Sequence, residues 1–146
     1  MRYLIGILIF LLNPVFAVAN DNLTTAVSQV NADVVFMRHA LAPGFGDPSN
    51  FQLEKCATQR NLDSVGRQQA VAIGSEVRRS ETFFTEILSS EWCRCKETAE
   101  LLNLQEWNTF SGLNSFFQNF SEKEVVLQQL YQKLNELAPG VTLMVT

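Results

Sequence analysis

The chain's single histidine, His39, directly follows Arg38, and a further arginine, Arg94, comes shortly after a serine pair at Ser89-Ser90. These residue types can bind and transfer a phosphoryl group without a metal. A planar guanidinium binds two phosphate oxygens at once. A neutral imidazole nitrogen can attack phosphorus in line and carry the group covalently. A helix N-terminus aimed at the same place would add backbone donors for the anion. Arg94 falls in the first turn of an expected helix, where the dipole disfavours a cation unless an anion sits beside it. Each signal is weak alone, because a lone histidine at a strand end is more often structural. Asp47, in the loop after His39, has two readings. As a general acid it would protonate a departing oxygen; as part of Asp47-Pro48 it would only open a turn.

The elements that must position these groups follow from the apolar pattern. Asp33-Val34-Val35-Phe36-Met37 reads as a short buried strand ending at Arg38-His39-Ala40. Residues 42–50 are rich in Gly and Pro and form a loop. A helix opens at an N-cap of Asp63 or Ser64 and buries Ala70, Ile73 and Val77. Arg78 and Arg79 fall in its last turn, where cations suit the dipole. Glu86-Ile87-Leu88-Ser89 is a second strand, and Ser90 is placed to cap a helix that runs to Leu102, with Cys95, Thr98, Ala99 and Leu102 on one face. From 103 to 119 no period holds, and Trp107, Phe110, Leu113, Phe116, Phe117 and Phe120 suggest a packed loop. Ser121-Glu122-Lys123-Glu124 reads as a capping box ahead of a stripe of Val126, Leu127, Leu130, Leu134 and Leu137. Pro139-Gly140 ends that helix, and 141–146 is a third strand. Strand and helix in alternation predict an α/β fold: three layers, with a mainly parallel sheet flanked by helices. Ligands in such sheets bind outside the carboxyl ends of the strands, which selects Arg38-His39, residues 89–94 and the position after Thr146.

Three ordered segments resemble the histidine phosphatase superfamily, which includes the phosphoglycerate mutases. Val34-Val35-Phe36-Met37-Arg38-His39-Ala40 is similar to that family's strand ending in Arg-His-Gly, with Ala40 where Gly is commoner. Leu62-Asp63-Ser64-Val65-Gly66-Arg67-Gln68-Gln69-Ala70 is similar to its Leu-Thr-x-x-Gly-x-x-Gln-Ala helix start. Leu88-Ser89-Ser90-Glu91-Trp92-Cys93-Arg94-Cys95-Lys96-Glu97-Thr98-Ala99 is similar to its Ser-Ser-x-x-x-Arg-x-x-x-Thr-Ala segment. The resemblance runs from about Asp33 to the end of the chain. It implies a phosphoglycerate mutase-like fold, incomplete at the C-terminus, and a phosphomonoester hydrolase working through a phosphohistidine on His39. Arg38 and Arg94 would hold the phosphate oxygens, and no metal or organic cofactor is implied. Ser89, Ser90 and Thr98 would cap and pack.

Two departures shape the expectation. The family closes its pocket with a second histidine just after a late strand that often ends in Val-Thr. Here the chain ends in Met144-Val145-Thr146. The expected alternative is therefore a truncated, catalytically impaired form with at most weak phosphate binding. Many members also carry a proton-donating Glu in the region that aligns with Leu113-Asn114-Ser115, where no carboxylate stands; Asp47 is the candidate replacement.

Residues 1–19 read as a secretory signal peptide: Met1-Arg2, an apolar run interrupted by Asn13-Pro14, and a small-residue cleavage pattern at Ala17-Val18-Ala19. That run is shorter than the roughly 20 apolar residues of a spanning helix. No membrane span is expected after cleavage, and residues 20–146 would form a partial domain, periplasmic or secreted. In an oxidising compartment the three cysteines would form one disulfide. Cys56 is one partner, since Cys93 and Cys95 are too close to join easily. Cys56 and Cys93 both fall on the strand-end face and are the favoured pair, with Cys95 the open alternative. The three cysteines and His39 would number four zinc ligands, but their spacing does not fit zinc pairs. Neither Cys56 nor Cys93 begins the Cys-x5-Arg loop of thiol-based phosphatases. A composition 47% hydrophobic and 18% charged suits one globular domain, and a net charge of -4 without a basic stripe argues against nucleic acid as a partner. The expected partner is a phosphorylated small molecule or a cell-envelope glycan. Loops 41–60 and 107–120 would shape its selection.

Overall fold

The computed structural model describes residues 23–146, so the expected signal peptide lies outside the described residues. Its centre is a four-stranded sheet of β1 (Val34–Met37), β2 (Glu86–Ser89), β3 (Asn108–Thr109) and β4 (Thr142–Val145), in the order β1-β4-β2-β3. Every pairing is parallel. The last strand is inserted between the first two, with Thr142 opposite both Val34 and Glu86. Its sequence explains the placement. Thr142, Leu143, Met144 and Val145 are all buried, as a strand covered on both faces must be. β1 does not share that burial. Among the described residues it pairs only with β4, and Phe36 is 53% exposed, so the strand read as buried is an edge strand.

Alternate residues of the strands face two helical layers. Ile87, Leu143 and Val145 pack with Trp92, Cys95, Ala99 and Leu102 of the layer formed by α2 (Ser64–Arg79) and α3 (Cys93–Leu102). Leu88 and Met144 point the other way, to Leu113 and to Leu130 and Leu134 of α4 (Lys123–Asn135). The result is the expected three-layer α/β architecture with a parallel sheet. A short α1 (Leu23–Gln29) joins the first layer through Leu23 and bonds Thr24 to the Ser80 carbonyl. No helix among the described residues is long and apolar enough to cross a membrane.

The helix ends depart from expectation in specific ways. Asp63, not Ser64, caps α2, accepting from the Gly66 N–H at 2.7 Å. α3 begins at Cys93 with Trp92 at its N-cap and no side-chain cap bond; the Ser90 hydroxyl instead donates to Asn114 Oδ1. The capping box at Ser121 does not form either, because Glu122 occupies the N-cap of α4 without a side-chain bond. Arg78 does more than suit its own helix dipole. Its Nη1 donates to the carbonyls of Leu102 and Asn103, satisfying acceptors that the end of α3 leaves free. The segment without a period holds β3 and two 3-10 turns, Ser111–Leu113 and Phe117–Asn119.

One contact sets how closely α2 approaches the chain leaving β1. A Cβ built on Gly66 would stand 1.9 Å from the Leu41 carbonyl oxygen, which is backbone and cannot swing away. Gly66→Ala should therefore destabilise the protein by about 1–3 kcal/mol, the scale of overpacking, read from a lower urea midpoint at unchanged slope.

Candidate active site

The carboxyl ends of β1, β2 and β4 open into a cavity of about 520 Å³. Arg38, His39, Asp47, Arg60, Arg94 and Thr146 are among the residues that line it. The sheet itself places the histidine. Thr146 N–H donates to the Met37 carbonyl at 2.9 Å, and His39 N–H donates to the Thr146 carbonyl at 2.7 Å, so the β1–β4 ladder continues past both strands. Thr98 ties the next residue to α3: its hydroxyl accepts from the Ala40 N–H at 3.0 Å and donates to the Arg94 carbonyl at 2.7 Å. Ala40, where glycine was the commoner residue, is buried and accepted without strain.

His39 Nδ1 lies 2.6 Å from the Ala40 carbonyl oxygen. A carbonyl can only accept, so Nδ1 carries the hydrogen and the lone pair remains on Nε2. Burial lowers the imidazole pKa to about 4, and the nearby Arg94, Arg60 and Arg38 push in the same direction; only the Ala40 bond opposes them. The ring is therefore neutral at neutral pH, the state a nucleophile requires.

Arg94 and Asp47 form a buried ion pair, with side chains 7% and 5% exposed. Arg94 Nη1 donates to Asp47 Oδ1 at 2.9 Å and Oδ2 at 3.1 Å, and reaches the Arg60 carbonyl at 3.4 Å. Arg94 Nε is buried without any partner. Such a group is rare in a folded protein, and an anion oxygen is the partner that would satisfy it. Asp47 also accepts from Trp92 Nε1 at 3.0 Å and from the Arg60 N–H at 2.9 Å. Burial raises its pKa, but the bonds from Arg60, Arg94 and Trp92 outweigh that and hold the carboxyl below its usual range. Asp47 is thus an ionised acceptor and Arg94's counter-ion, and more than a turn opener.

Arg60 is a cavity residue that the sequence reading missed. Its Nε donates to the Gly46 carbonyl at 2.9 Å and its Nη1 to the Ala42 carbonyl. Its only signal was its place just before the Leu62 motif, where a loop arginine looks like a solvated one. The expected backbone donors at the start of α3 are largely engaged by side chains. Cys93 N–H donates to Gln59 Oε1 at 2.9 Å, Glu91 N–H to Asn114 Oδ1 at 2.9 Å, and Trp92 N–H to the Ser90 hydroxyl at 3.3 Å. The positive charge of the cavity comes instead from the arginines. Arg38 is exposed on the cavity wall.

The favoured cysteine pair is the one formed: Cys56 and Cys93 are joined, and Cys95 is free and buried. The bridge fastens the loop bearing Gln59 and Arg60 to the first residue of α3. Cys95 lines the cavity, but burial raises its thiol pKa to about 11, which leaves it protonated and a poor nucleophile.

No family model matches the chain, and no curated protein does. Solved structures similar to it include the following two. The candidate phosphohistidine phosphatase SixA from Agrobacterium tumefaciens is 19% identical, with a TM-score of 0.49 over 77% of this chain and 66% of that one. The candidate alpha-ribazole-5'-P phosphatase from Escherichia coli K-12 is 15% identical, with a TM-score of 0.52 over 77% of this chain and 71% of that one. Both belong to the histidine phosphatase superfamily. This chain thus spans 66% and 71% of the lengths of these two neighbours. At such identity the likeness establishes the fold, and the phosphoglycerate mutase-like α/β fold expected from the sequence is the fold found.

Two measurements check the site. The His39 imidazole should titrate near pH 4 by NMR, as the Nδ1–H tautomer above that. Because its folded pKa lies below the ordinary 6.5, its contribution to stability is full above pH 6.5 and declines as pH falls toward 4. A Cys56→Ser, Cys93→Ser variant opens a bridge across 37 residues of chain and should lose about 2–4 kcal/mol in denaturant unfolding.

Proposed function

We propose that the protein is a phosphomonoester hydrolase of the histidine phosphatase type, working through a phosphohistidine on His39. One observation carries the reading: a neutral imidazole, its tautomer set by the Ala40 carbonyl, shares a cavity with Arg38, Arg60 and Arg94, and the buried Arg94 Nε lacks a partner. The similar structure from Escherichia coli, a candidate alpha-ribazole-5'-P phosphatase, supports it.

In this reading the arginines hold the phosphate oxygens and stabilise the charge of the transferring group. His39 Nε2 attacks phosphorus with its lone pair. The ester P–O bond breaks, and its electron pair leaves on the alcohol oxygen, which takes a proton. Asp47 is the only carboxyl side chain on the cavity lining among the described residues and is assigned as the donor. A phosphate dianion bound beside it raises its pKa from the substrate-free value, since two negative charges at close range disfavour ionisation. Water then attacks the phosphohistidine and gives its proton to Asp47. The N–P bond breaks, and Nε2 recovers its lone pair. The setting that fits this reading is the cell envelope or the exterior: the Cys56–Cys93 bridge is compatible with export, and the expected substrates are phosphorylated small molecules or envelope glycans.

His39→Ala should lower kcat/KM by at least about 10³-fold, and rapid base quenching of the wild type should trap an acid-labile phosphoryl group on His39. Equal rates for the two proteins would end the nucleophile assignment. Asp47→Asn should slow esters of alkyl alcohols by about 10²-fold and 4-nitrophenyl phosphate much less, because only the poorer leaving group needs the proton.

A further inference from the structure

The cavity floor is polar and cationic, but its rim is aromatic. Phe45 stands 91% exposed between Gly44 and Gly46, whose φ values of 97° and 67° turn the loop at its tip. Phe117 belongs to the 3-10 turn Phe117–Asn119, and the two rings meet edge to face with centroids 5.2 Å apart. Both line the same cavity as His39 and Arg94.

The rim is built rather than loose. Gln118 clamps one loop to the other, its Oε1 accepting from the Asp47 N–H at 2.7 Å and its Nε2 donating to the Asp47 carbonyl at 3.3 Å. A Cβ on Gly46 would stand 2.4 Å from Gln118 Oε1, so the clamp needs glycine there. Arg60 holds the Gly46 carbonyl from the other side. A large aromatic side chain kept in water by this much hydrogen bonding marks a binding surface.

Attack by His39 sends the departing oxygen to the far side of phosphorus, and whatever carries it must share the cavity with Phe45, Phe117 and Leu113. We propose that these two phenylalanines bind the leaving group, and that the substrate is a phosphomonoester whose alcohol bears a flat aromatic or heteroaromatic ring. The inference rests on the phosphohydrolase reading of the site. An open polyol would leave both ring faces wet, whereas a planar ring stacks on them.

Benzyl phosphate and glycerol 3-phosphate, both esters of primary alcohols, test this with little difference in leaving-group chemistry. The wild type should prefer benzyl phosphate. Phe45→Ala and Phe117→Ala should each raise its KM about three- to ten-fold, and the KM for glycerol 3-phosphate much less. Phe45→Tyr should keep the wild-type value. A wild-type preference for glycerol 3-phosphate or glucose 6-phosphate, or equal losses on both esters, would overturn the ring assignment. Calorimetry separates this from failure of the hydrolase reading. Benzylphosphonate should bind more tightly than methylphosphonate, and Phe45→Ala should remove the difference, whether or not either ester is hydrolysed. Equal affinities in the wild type would refute the aromatic site by themselves.

Discussion

A buried guanidinium needs an anion, and the Arg94–Asp47 pair meets that constraint. Taking both charges out of water is costly unless geometry and further bonds compensate. Here the compensation comes from several elements at once. Trp92 Nε1 and the Arg60 N–H complete the carboxylate, and Gln118 holds the Asp47 backbone. The Cys56–Cys93 bridge and the Gln59–Cys93 bond keep the Arg60 segment against α3. The loop after His39 is therefore ordered by the same cation that would bind phosphate. The unpartnered Nε of this arginine shows that Asp47 satisfies only part of it.

Placement of the site follows from the sheet. Because β4 lies between β1 and β2, the carboxyl ends of the strands bring His39, Ser90 and Thr146 together across sheet hydrogen bonds. The imidazole then needs only local chemistry to become a nucleophile. One carbonyl, that of the adjoining Ala40, selects its tautomer, and burial with three cations keeps it unprotonated. The same burial that favours a neutral histidine disfavours a reactive thiolate at Cys95, so of these two groups His39 is the better candidate nucleophile.

Short-range rules made much of this legible in the sequence. β-branched and apolar runs marked the three main strands, Asp63 and the spacing of Ala70, Ile73 and Val77 marked α2, and the strand-end rule placed His39, Arg94, Cys56 and Cys93 on one face. What escaped depends on tertiary partners. The Ser90 hydroxyl could have capped α3, but Asn114 competes for it from a segment with no readable period. Ser121 had the spacing of a capping box, yet the backbone bends one residue later. Burial of β1 was overestimated because an apolar run does not reveal whether a strand has one neighbour or two. Arg60 was invisible because nothing in a loop's composition says which way a side chain turns. Asp47 stays open in the sequence between general acid and turn opener, because its ion pair with Arg94, far along the chain, leaves no local pattern.

Charge balance in the cavity narrows what can occupy it. Its lining side chains supply the cations of Arg38, Arg60 and Arg94 against the single carboxylate of Asp47, with His39 neutral and Cys95 protonated. The surplus is positive and lies partly in a buried place, where water screens it poorly. A phosphomonoester dianion cancels that surplus; a phosphodiester carries one charge fewer and leaves a cation without a partner. Protonating His39 would enlarge the surplus, so the arginines add to burial, the larger cause of its low pKa. The three arginines that add to burial in keeping the imidazole neutral are thus the same side chains that make the cavity complementary to a doubly charged anion.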